Sequence, residues 1–362
     1  MSVTSTADKA PSTAPSDTAG RNPFLDNARY WVMLLVVVGH FLTALIDLDE
    51  ARAAYRWIYL FHMPVFILIS GYTARHYSGS PRQVRRMVGS LVVPYLLVET
   101  ALEAYEAWLA DEPLSLHVLE PDWLTWFIAA LFVWRLTTPI WQAIRWPLPV
   151  AIGCSLVGGL APVSDVLAIP QIIAFLPFYV AGMQLRREHF DRLRTWKLRV
   201  PAVAALAVAA CVCVLEPRNW GMTWLYWRDA YSEAPLSATA LEGMASRGAL
   251  MAIGFVLAAA VLALVPHRHA WYSRMGQRTL YCYLLHGFVI LSLEYAGMFD
   301  SMLGYGEVGI WLTVFAALVL ANLLMTRAIA ETFRPLFEAR LRWLFHSESS
   351  SSPSADPRIL SR

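Results

Sequence analysis

The sequence carries little charge. Only 15% of its 362 residues are Asp, Glu, Lys or Arg, against about 25% in a typical soluble domain. Hydrophobic residues make up 57% of the chain, and its mean hydropathy is +0.46. Fifteen tryptophans and fifteen tyrosines suit aromatic belts at two membrane interfaces. We expect an all-α, polytopic integral membrane protein.

The chain also lacks the signatures of several kinds of site. Its net charge of +2 is uninformative about nucleic acid, and no block of Lys and Arg resembles a nucleic-acid patch, so no nucleic-acid partner is expected. Its four cysteines, Cys154, Cys211, Cys213 and Cys282, lie in apolar runs, which favours small buried residues over disulfides or metal ligands. The histidines and acids show no spacing such as HExxH. No metal and no permanently bound cofactor are expected.

Both ends of the chain lack long apolar runs. The first 20 residues are rich in Ser, Thr, Ala and Pro, and the segment after His346 is rich in Ser, which predicts disordered tails. No small-residue cleavage site follows the N-terminal segment, so the first helix is expected to stay uncleaved. We predict a cytoplasmic tail over 1–21, a transmembrane domain over 22–345 and a second cytoplasmic tail over 346–362.

Apolar segments long enough to cross a bilayer, about 17–25 residues, predict ten transmembrane helices. They fall near residues 30–46, 57–74, 87–108, 123–141, 147–163, 167–185, 199–215, 248–265, 279–297 and 308–330. With the N-terminus inside, most of the 29 Lys and Arg fall on the cytoplasmic side. The positive-inside rule requires this bias. Both termini are therefore predicted to be cytoplasmic.

Arg29 and His40 bracket the apolar run "RYWVMLLVVVGH". Eleven residues advance a helix by about 1100°, within about 20° of three turns, so the two residues share one stripe, about 16 Å apart. Ionisable groups at membrane depth usually face a protein interior or a water-filled cavity. Arg29 alone is also explained by snorkelling at the interface, whereas the shared stripe favours a functional role.

The predicted third helix carries Glu99, Glu103 and Glu106 on one face. Counting helix rise from the cytoplasmic side puts Glu99 at about the depth of His40. A carboxylate–histidine pair between them is one interpretation. The other is that Glu99 pairs with an arginine to hold the bundle together.

The residue types fit two kinds of chemistry. Histidine is a natural general base for a hydroxyl, a glutamate orients its ring, and an arginine near the cytoplasm holds phosphate or developing negative charge. These parts fit acyl transfer from a phosphorylated donor, and they fit the relay of a proton-coupled transporter. His62 and His286, in the second and ninth spans, suit either function or a purely structural hydrogen bond.

Six motifs follow one another over about residues 22–330. They are Arg-x10-His with Asp26 three residues ahead, "FHMPVFILISGY" (61–72), "RQVRRMVGSLVVPYL" (82–96), "WFIAALFVWRL" (126–136), "FLPFYVAGMQLR" (175–186) and "LYCYLLHG" (280–287). In this order they resemble the integral-membrane acyltransferase-3 family, especially its fucose-4-O-acetylase-like branch.

The resemblance implies an O-acyltransferase of the plasma membrane. Its donor would be acyl-CoA, usually acetyl-CoA, arriving as a co-substrate from the cytoplasm. Its acceptor would be a carbohydrate, a glycosylated small molecule or a lipid-linked sugar. The resemblance gives the catalytic role to His40 and Arg29, to which the matched depth adds Glu99. It gives donor binding to three arginines that the positive-inside rule also explains, namely Arg82, Arg85 and Arg86.

Further candidates for the substrate cavity come from the same motifs. They are Asp26, His62, Ser70, His286 and Trp126. Ser70 is expected to permit close helix packing or to line the cavity, not to act as a nucleophile. An aromatic external loop adds Trp220, Trp224, Tyr226, Trp227 and Tyr231, which fit either an interfacial belt or stacking on sugars.

Two rival functions remain open from the residues. A proton-coupled transporter is disfavoured by the basic stretch after the second span and by the absence of an obvious inverted repeat. A non-catalytic scaffold or sensor would leave the stripe of Arg29 and His40 unexplained.

Overall fold

The computed structural model describes residues 23–121, 123–193, 195–216 and 221–338, and within them every regular element is helical. The all-α prediction is confirmed. The predicted tails over 1–21 and 346–362 lie outside the described residues. The α-helices are α1 Pro23–Leu42, α2 Asp49–Tyr59, α3 His62–Ala74, α4 Pro81–Met87, α5 Val93–Ala110, α6 Trp126–Ala143, α7 Pro147–Val157, α8 Ile169–Gln184, α9 Arg187–Leu193, α10 Trp196–Leu215, α11 Thr223–Tyr226, α12 Ala240–Leu264, α13 Ser273–Gly276, α14 Thr279–Tyr295, α15 Met298–Gly304, α16 Glu307–Leu324 and α17 Arg327–Phe337.

Seven helical segments among the described residues are long and apolar enough to cross a membrane. They are Pro23–Leu45, Asp49–Ala74, Pro81–Ala110, Val166–Gln184, Trp196–Leu215, Ala240–Leu264 and Glu307–Leu324. An eighth is the pair α14 and α15, which bends by 67°. The bend occurs at Gly297, whose φ of +67° suits a residue without a Cβ. A polytopic helical membrane bundle is thus confirmed, with seven or eight such segments where ten spans were predicted.

The two remaining predicted spans correspond to α6 and α7. Helix α6 has 18 residues. It begins at Trp126, three residues later than the predicted start of the span at residue 123. Helix α7 has 11 residues, about 16 Å of helix against a hydrocarbon core about 30 Å thick. It ends at Val157 because Gly158, Gly159 and then Pro162 follow, and these residues disfavour a continued helix.

Contacts between loops sort the chain into two faces. On one face, Asn27 Nδ2 donates hydrogen bonds to the carbonyls of Pro266 and Arg268 at 2.7 and 2.9 Å. On the same face the ring of Phe190 contacts Phe24 at 5.3 Å and Tyr72 at 4.8 Å between centroids. We call it the inner face, because its segments are those predicted to be cytoplasmic.

The opposite face, here the outer face, joins the segments predicted to be external. Leu167 N donates to Leu119 O at 2.6 Å, and Tyr231 N donates to Gly159 O at 2.8 Å. The guanidinium of Arg228 lies 2.5 Å from the Asp165 carboxylate. The structure therefore groups the loops as the positive-inside rule predicts.

Glycines set the closest approach in the bundle. A Cβ at Gly71 of α3 would collide with the backbone of Tyr179 in α8, and one at Gly182 of α8 would collide with the backbone of Leu68 in α3. The two helices therefore touch backbone to backbone. Close helix packing is thus present beside Ser70, and the residue that allows it is Gly71.

Candidate active site

A pair of histidines joins α1 to α14. His40 Nδ1 lies 2.9 Å from His286 Nε2, although the residues are 246 positions apart in the sequence. The two rings are nearly parallel, with 11° between their planes. His286 Nδ1 lies 2.9 Å from the carbonyl oxygen of Cys282, one turn earlier on α14. His286 is fully buried. Both nitrogens of its ring are in contact with a polar group, one with His40 and the other with the Cys282 carbonyl.

The hydrogen bonds determine the tautomers of the neutral pair. A carbonyl oxygen only accepts, so His286 must donate from Nδ1 to Cys282, and its Nε2 then carries a lone pair. His40 must therefore donate from Nδ1. Its Nε2 is left unprotonated, and this nitrogen has no hydrogen-bond partner among the described residues. The pair presents one basic nitrogen.

The side chain of His40 lines a cavity of about 570 Å³. Its wall includes seven aromatic residues, Tyr55, Tyr59, Trp123, Trp126, Phe175, Tyr226 and Tyr283. Arg228 and Tyr226, which line it as well, belong to the outer-face segment after α10. His40, near the C-terminal end of α1, therefore meets a cavity that residues of the outer face also line.

His62 lines the same cavity. Its Nδ1 lies 2.9 Å from the carbonyl oxygen of Ile58, so in the neutral ring Nδ1 donates and Nε2 is unprotonated. The sequence left two roles open for His62, a structural hydrogen bond and a place in the functional site. In the structure its Nδ1 makes such a hydrogen bond, and its side chain also lines the cavity.

Glu99 is fully buried and accepts a hydrogen bond from Thr125 Oγ1. It is an electrostatic neighbour of Tyr283, whose side chain lines the cavity. The partner of the His40 ring is His286, and the expected pair of Glu99 with His40 is absent from the contacts of the described residues. The reason is topological: α14 places a histidine against α1, while Glu99 faces the start of α6.

Arg29 and Asp26 lie at the other end of α1. Arg29 Nη1 is 3.4 Å from Asp26 Oδ1, and Gln277 Nε2 donates to Asp26 Oδ2 at 2.9 Å. Asp26 is buried, whereas 27% of the Arg29 side chain is exposed. About 16 Å of helix separates Arg29 from His40. Neither Arg29 nor Asp26 lines the His40 cavity.

The three candidate donor-binding arginines lie on α4 at the inner face. Ser80 and Gln83 form a capping box that starts this helix after the loop. Arg82 and Arg86 are exposed and Arg85 is half-buried. Arg86 is an electrostatic neighbour of Arg135 in α6. Arg135 was not among the residues predicted from the sequence, although an arginine inside an apolar run is itself a signal of function.

The remaining candidates separate into cavity and packing residues. Trp126 lines the cavity, and its ring stacks on Phe175 with centroids 5.6 Å apart. Ser70 is not among the cavity-lining residues; its carbonyl accepts a hydrogen bond from Thr73 Oγ1. His286 lies behind His40 and does not line the cavity.

The aromatic outer loop folds into the bundle. Tyr226 lines the cavity and accepts a hydrogen bond from Tyr55 at 3.1 Å. Trp227 is buried against Phe175, with ring centroids 5.0 Å apart. Trp220 lies outside the described residues. The loop therefore forms part of the cavity wall. The side chains of an interfacial belt would instead face the lipid headgroups.

An ion pair lies at the cavity wall on the outer face. Arg228, which lines the cavity, donates from Nε and Nη2 to the two Asp165 carboxylate oxygens at 3.1 and 2.5 Å. The hydrogen-bonded Asp165 carboxylate raises the pKa of Arg228 above its ordinary value. Gln171 adds an amide oxygen that is buried and has no partner among the described residues. The wall thus combines aromatic rings with polar groups.

Comparison with known proteins assigns this bundle to a family. A family model described as an acyltransferase domain, acyltransferase 3, matches residues 22–327. The chain belongs to the acyltransferase-3 family. The expected family is confirmed, and this membrane acyltransferase acts on an acyl donor and an acceptor.

Two relatives resemble the acyltransferase over most of their length, and both are named nodulation protein NolL. The protein of Mesorhizobium japonicum is 26% identical over 339 residues, 83% of each chain. That of Sinorhizobium fredii is 29% identical over 297 residues, 71% of this chain and 75% of its own. No solved structure matches the acyltransferase.

Proposed function

We propose that this acyltransferase moves an acetyl group from acetyl-CoA to a hydroxyl of a carbohydrate, a glycosylated small molecule or a lipid-linked sugar at the plasma membrane. The observation that carries the proposal is the contact of His40 Nδ1 with His286 on a side chain that lines the cavity, from which an unprotonated Nε2 is assigned to the neutral His40 ring. A cavity wall of aromatic rings with a few polar groups suits a polar ligand with apolar faces, such as a sugar.

The reaction requires one base and one acid. His40 Nε2 removes the proton of the acceptor hydroxyl as its oxygen attacks the thioester carbonyl. The tetrahedral intermediate collapses, the carbon–sulfur bond breaks, and the thiolate of CoA takes the proton back from His40. The products are the acetyl ester and free CoA.

His286 is a positioning residue in this scheme. When His40 is protonated, its Nδ1–H still donates to His286 Nε2, and the Cys282 carbonyl holds the His286 ring in the required tautomer. This role is the one that the carboxylate of a catalytic triad serves. A neutral histidine supplies orientation without a counter-charge.

The two substrates approach from opposite sides. The cavity beside Tyr226 and Arg228 at the outer face suits the acceptor. The inner-face arginines Arg29, Arg82, Arg85 and Arg86 suit the phosphates of a cytoplasmic donor. The histidine pair also suits a proton relay, the transporter alternative, but membership of an acyltransferase family favours transfer chemistry.

The test uses purified protein in nanodiscs with acetyl-labelled acetyl-CoA and a panel of sugars. We expect thiol release and label transfer by the wild type and neither by folded His40→Ala. Arg145→Gln, which changes an exposed inner-face arginine, is the control and should retain activity. Wild-type protein that consumes no acyl-CoA with any acceptor, or active His40→Ala, would contradict the proposal.

A further inference from the structure

Arg135 is a charged residue inside the helical bundle. It lies on α6, nine residues after the cavity-lining Trp126, which corresponds to about 14 Å of helix. Its electrostatic neighbours are Tyr179, Arg86 and Tyr77. Among the residues that the structure describes, no carboxylate lies within 4.0 Å of its guanidinium. The charged group among these neighbours is thus another positive one.

A π-helical turn that follows α4 lies between this second arginine and α6. Arg86, on α4, precedes a π-helical turn over Val88–Val92, and this turn packs against α6. Single turns of π-helix are frequent at functional sites. A half-buried guanidinium beside a second one, without a carboxylate, is costly in a membrane protein. An anion at this point would remove the cost.

A tyrosine supplies a second observation that points to a ligand at this place. Tyr77 is only 9% exposed, and its hydroxyl is buried without a hydrogen-bond partner in the described parts of the chain. Tyr179, by contrast, is satisfied by Thr138 Oγ1 at 2.8 Å. A buried polar group normally has a partner. Beside two guanidinium groups, an oxygen-rich anion would provide one.

We propose that Arg135, Arg86 and Tyr77 form a binding site for phosphoryl groups, open to the inner face. Arginine suits this ligand because its planar fork donates two parallel hydrogen bonds to phosphate oxygens. Resting on the proposed function, we assign the site to the phosphates of the acyl-CoA donor. This site includes Arg135 of the long helix α6, whereas the motif arginines Arg82 and Arg85 lie on the short helix α4 at the inner face.

The spacing along α6 fits one donor molecule. The pantetheine arm of CoA has roughly the length of four residues of extended chain, about 13 Å. Arg135 lies about 14 Å along the helix from Trp126 at the His40 cavity. Phosphates held by Arg135 would therefore place the thioester at the level of that cavity.

Equilibrium binding to the full-length protein in phosphatidylcholine nanodiscs tests the site without turnover. CoA, pantetheine and inorganic pyrophosphate are the probes. We expect Arg135→Gln to weaken CoA and pyrophosphate binding by about 10- to 100-fold, and Tyr77→Phe by about 3- to 10-fold. Neither substitution should change pantetheine binding. Arg145→Gln, the matched inner-face control, should change CoA binding by less than about twofold.

Wild-type protein provides a readout that needs no variant. Phenylglyoxal should modify Arg135, and CoA should protect it, as mapped by peptide mass spectrometry. Arg135→Gln that binds CoA as wild type does, or Arg135 modified equally with and without CoA and pyrophosphate, overturns the site. If pyrophosphate binds through Arg135 but acetyl-CoA neither binds nor reacts, the phosphoryl site stands and the proposed function fails.

A second nanodisc composition separates the two sources of phosphate. Adding phosphatidylglycerol should leave CoA affinity unchanged if the site serves the donor. If phosphatidylglycerol displaces CoA from wild type but not from Arg135→Gln, the site belongs to a lipid headgroup, and its assignment to the donor is overturned.

Discussion

The rings of His40 and His286 lie parallel, and a 2.9 Å contact joins Nδ1 of the first to Nε2 of the second. His286 is in turn anchored to a backbone carbonyl. These contacts assign a proton to Nδ1 of each ring in the neutral pair. His40 is then the base at the cavity, and the neutral His286 orients it. Several consequences can be measured.

Removing the acceptor for His40 Nδ1–H should impair catalysis without removing the base. We expect His286→Leu to lower kcat by about 100-fold, because the His40 tautomer and ring orientation are lost. His286→Gln keeps an acceptor oxygen and should restore part of the rate. Steady-state kinetics with a thermal unfolding curve for each variant make the comparison. Equal rates for the Leu and Gln variants would contradict a positioning role.

Backbone contact between α3 and α8 should make Gly71 intolerant of a side chain. Gly71→Ala forces the helices apart, and we expect a loss of about 1–3 kcal/mol in unfolding free energy. Gly153 of α7 is the control, because a Cβ there meets nothing within 4 Å. Gly153→Ala should stabilise the helix by about 0.5–1 kcal/mol. Detergent-based thermal unfolding measures both, and equal shifts would contradict the packing.

The ion pair between Arg228 and Asp165 should affect the site more than the stability. Both side chains are about half exposed, at 53% and 43%, so Asp165→Asn should cost no more than about 1 kcal/mol. The same substitution frees Arg228 to move at the cavity wall, so we expect a changed KM for the acceptor and an unchanged KM for the donor. A change confined to the donor KM would contradict this placement.

The same pair predicts the absence of a pH effect. The pKa of Arg228 is raised in the folded protein by the Asp165 carboxylate. Its contribution to stability is therefore complete below the pKa that arginine has in the unfolded chain, and it is lost only as the pH rises above that value. Unfolding free energies of wild type and Asp165→Asn should differ by a constant amount from pH 6 to pH 10. A difference that grows with pH in this window would contradict the assignment.

The orientation of the bundle can be tested by labelling. Asp47 lies in the exposed segment before α2 at the outer face, and Ser78 lies in the exposed segment after α3 at the inner face. In a background without the exposed Cys154 and Cys211, a membrane-impermeant thiol reagent should label Asp47→Cys in intact cells. Ser78→Cys should react only after the cells are lysed. The reverse pattern would invert the predicted topology.

The sequence alone determined the properties that depend on neighbours along the chain. Hydropathy and the distribution of Lys and Arg were sufficient for a helical membrane bundle, because crossing a bilayer is a requirement on each segment separately. Helical periodicity put Arg29 and His40 on one stripe. Glu103 and Glu106 likewise follow Glu99 on one helix. None of these inferences needed a contact between distant segments.

Only the tertiary structure decided which distant residues meet. His286 reaches His40 across 246 positions, and the packing of α14 on α1 that brings them together leaves no periodic pattern in the sequence. Counting helix rise predicts a similar depth for Glu99 and His40, but depth does not set the direction in which a side chain points. Arg135 and Arg86 are brought together by a π-helical turn packed on α6. A site assembled from several helices depends on how they pack, and helix packing is a property of surfaces that come from separate parts of the chain.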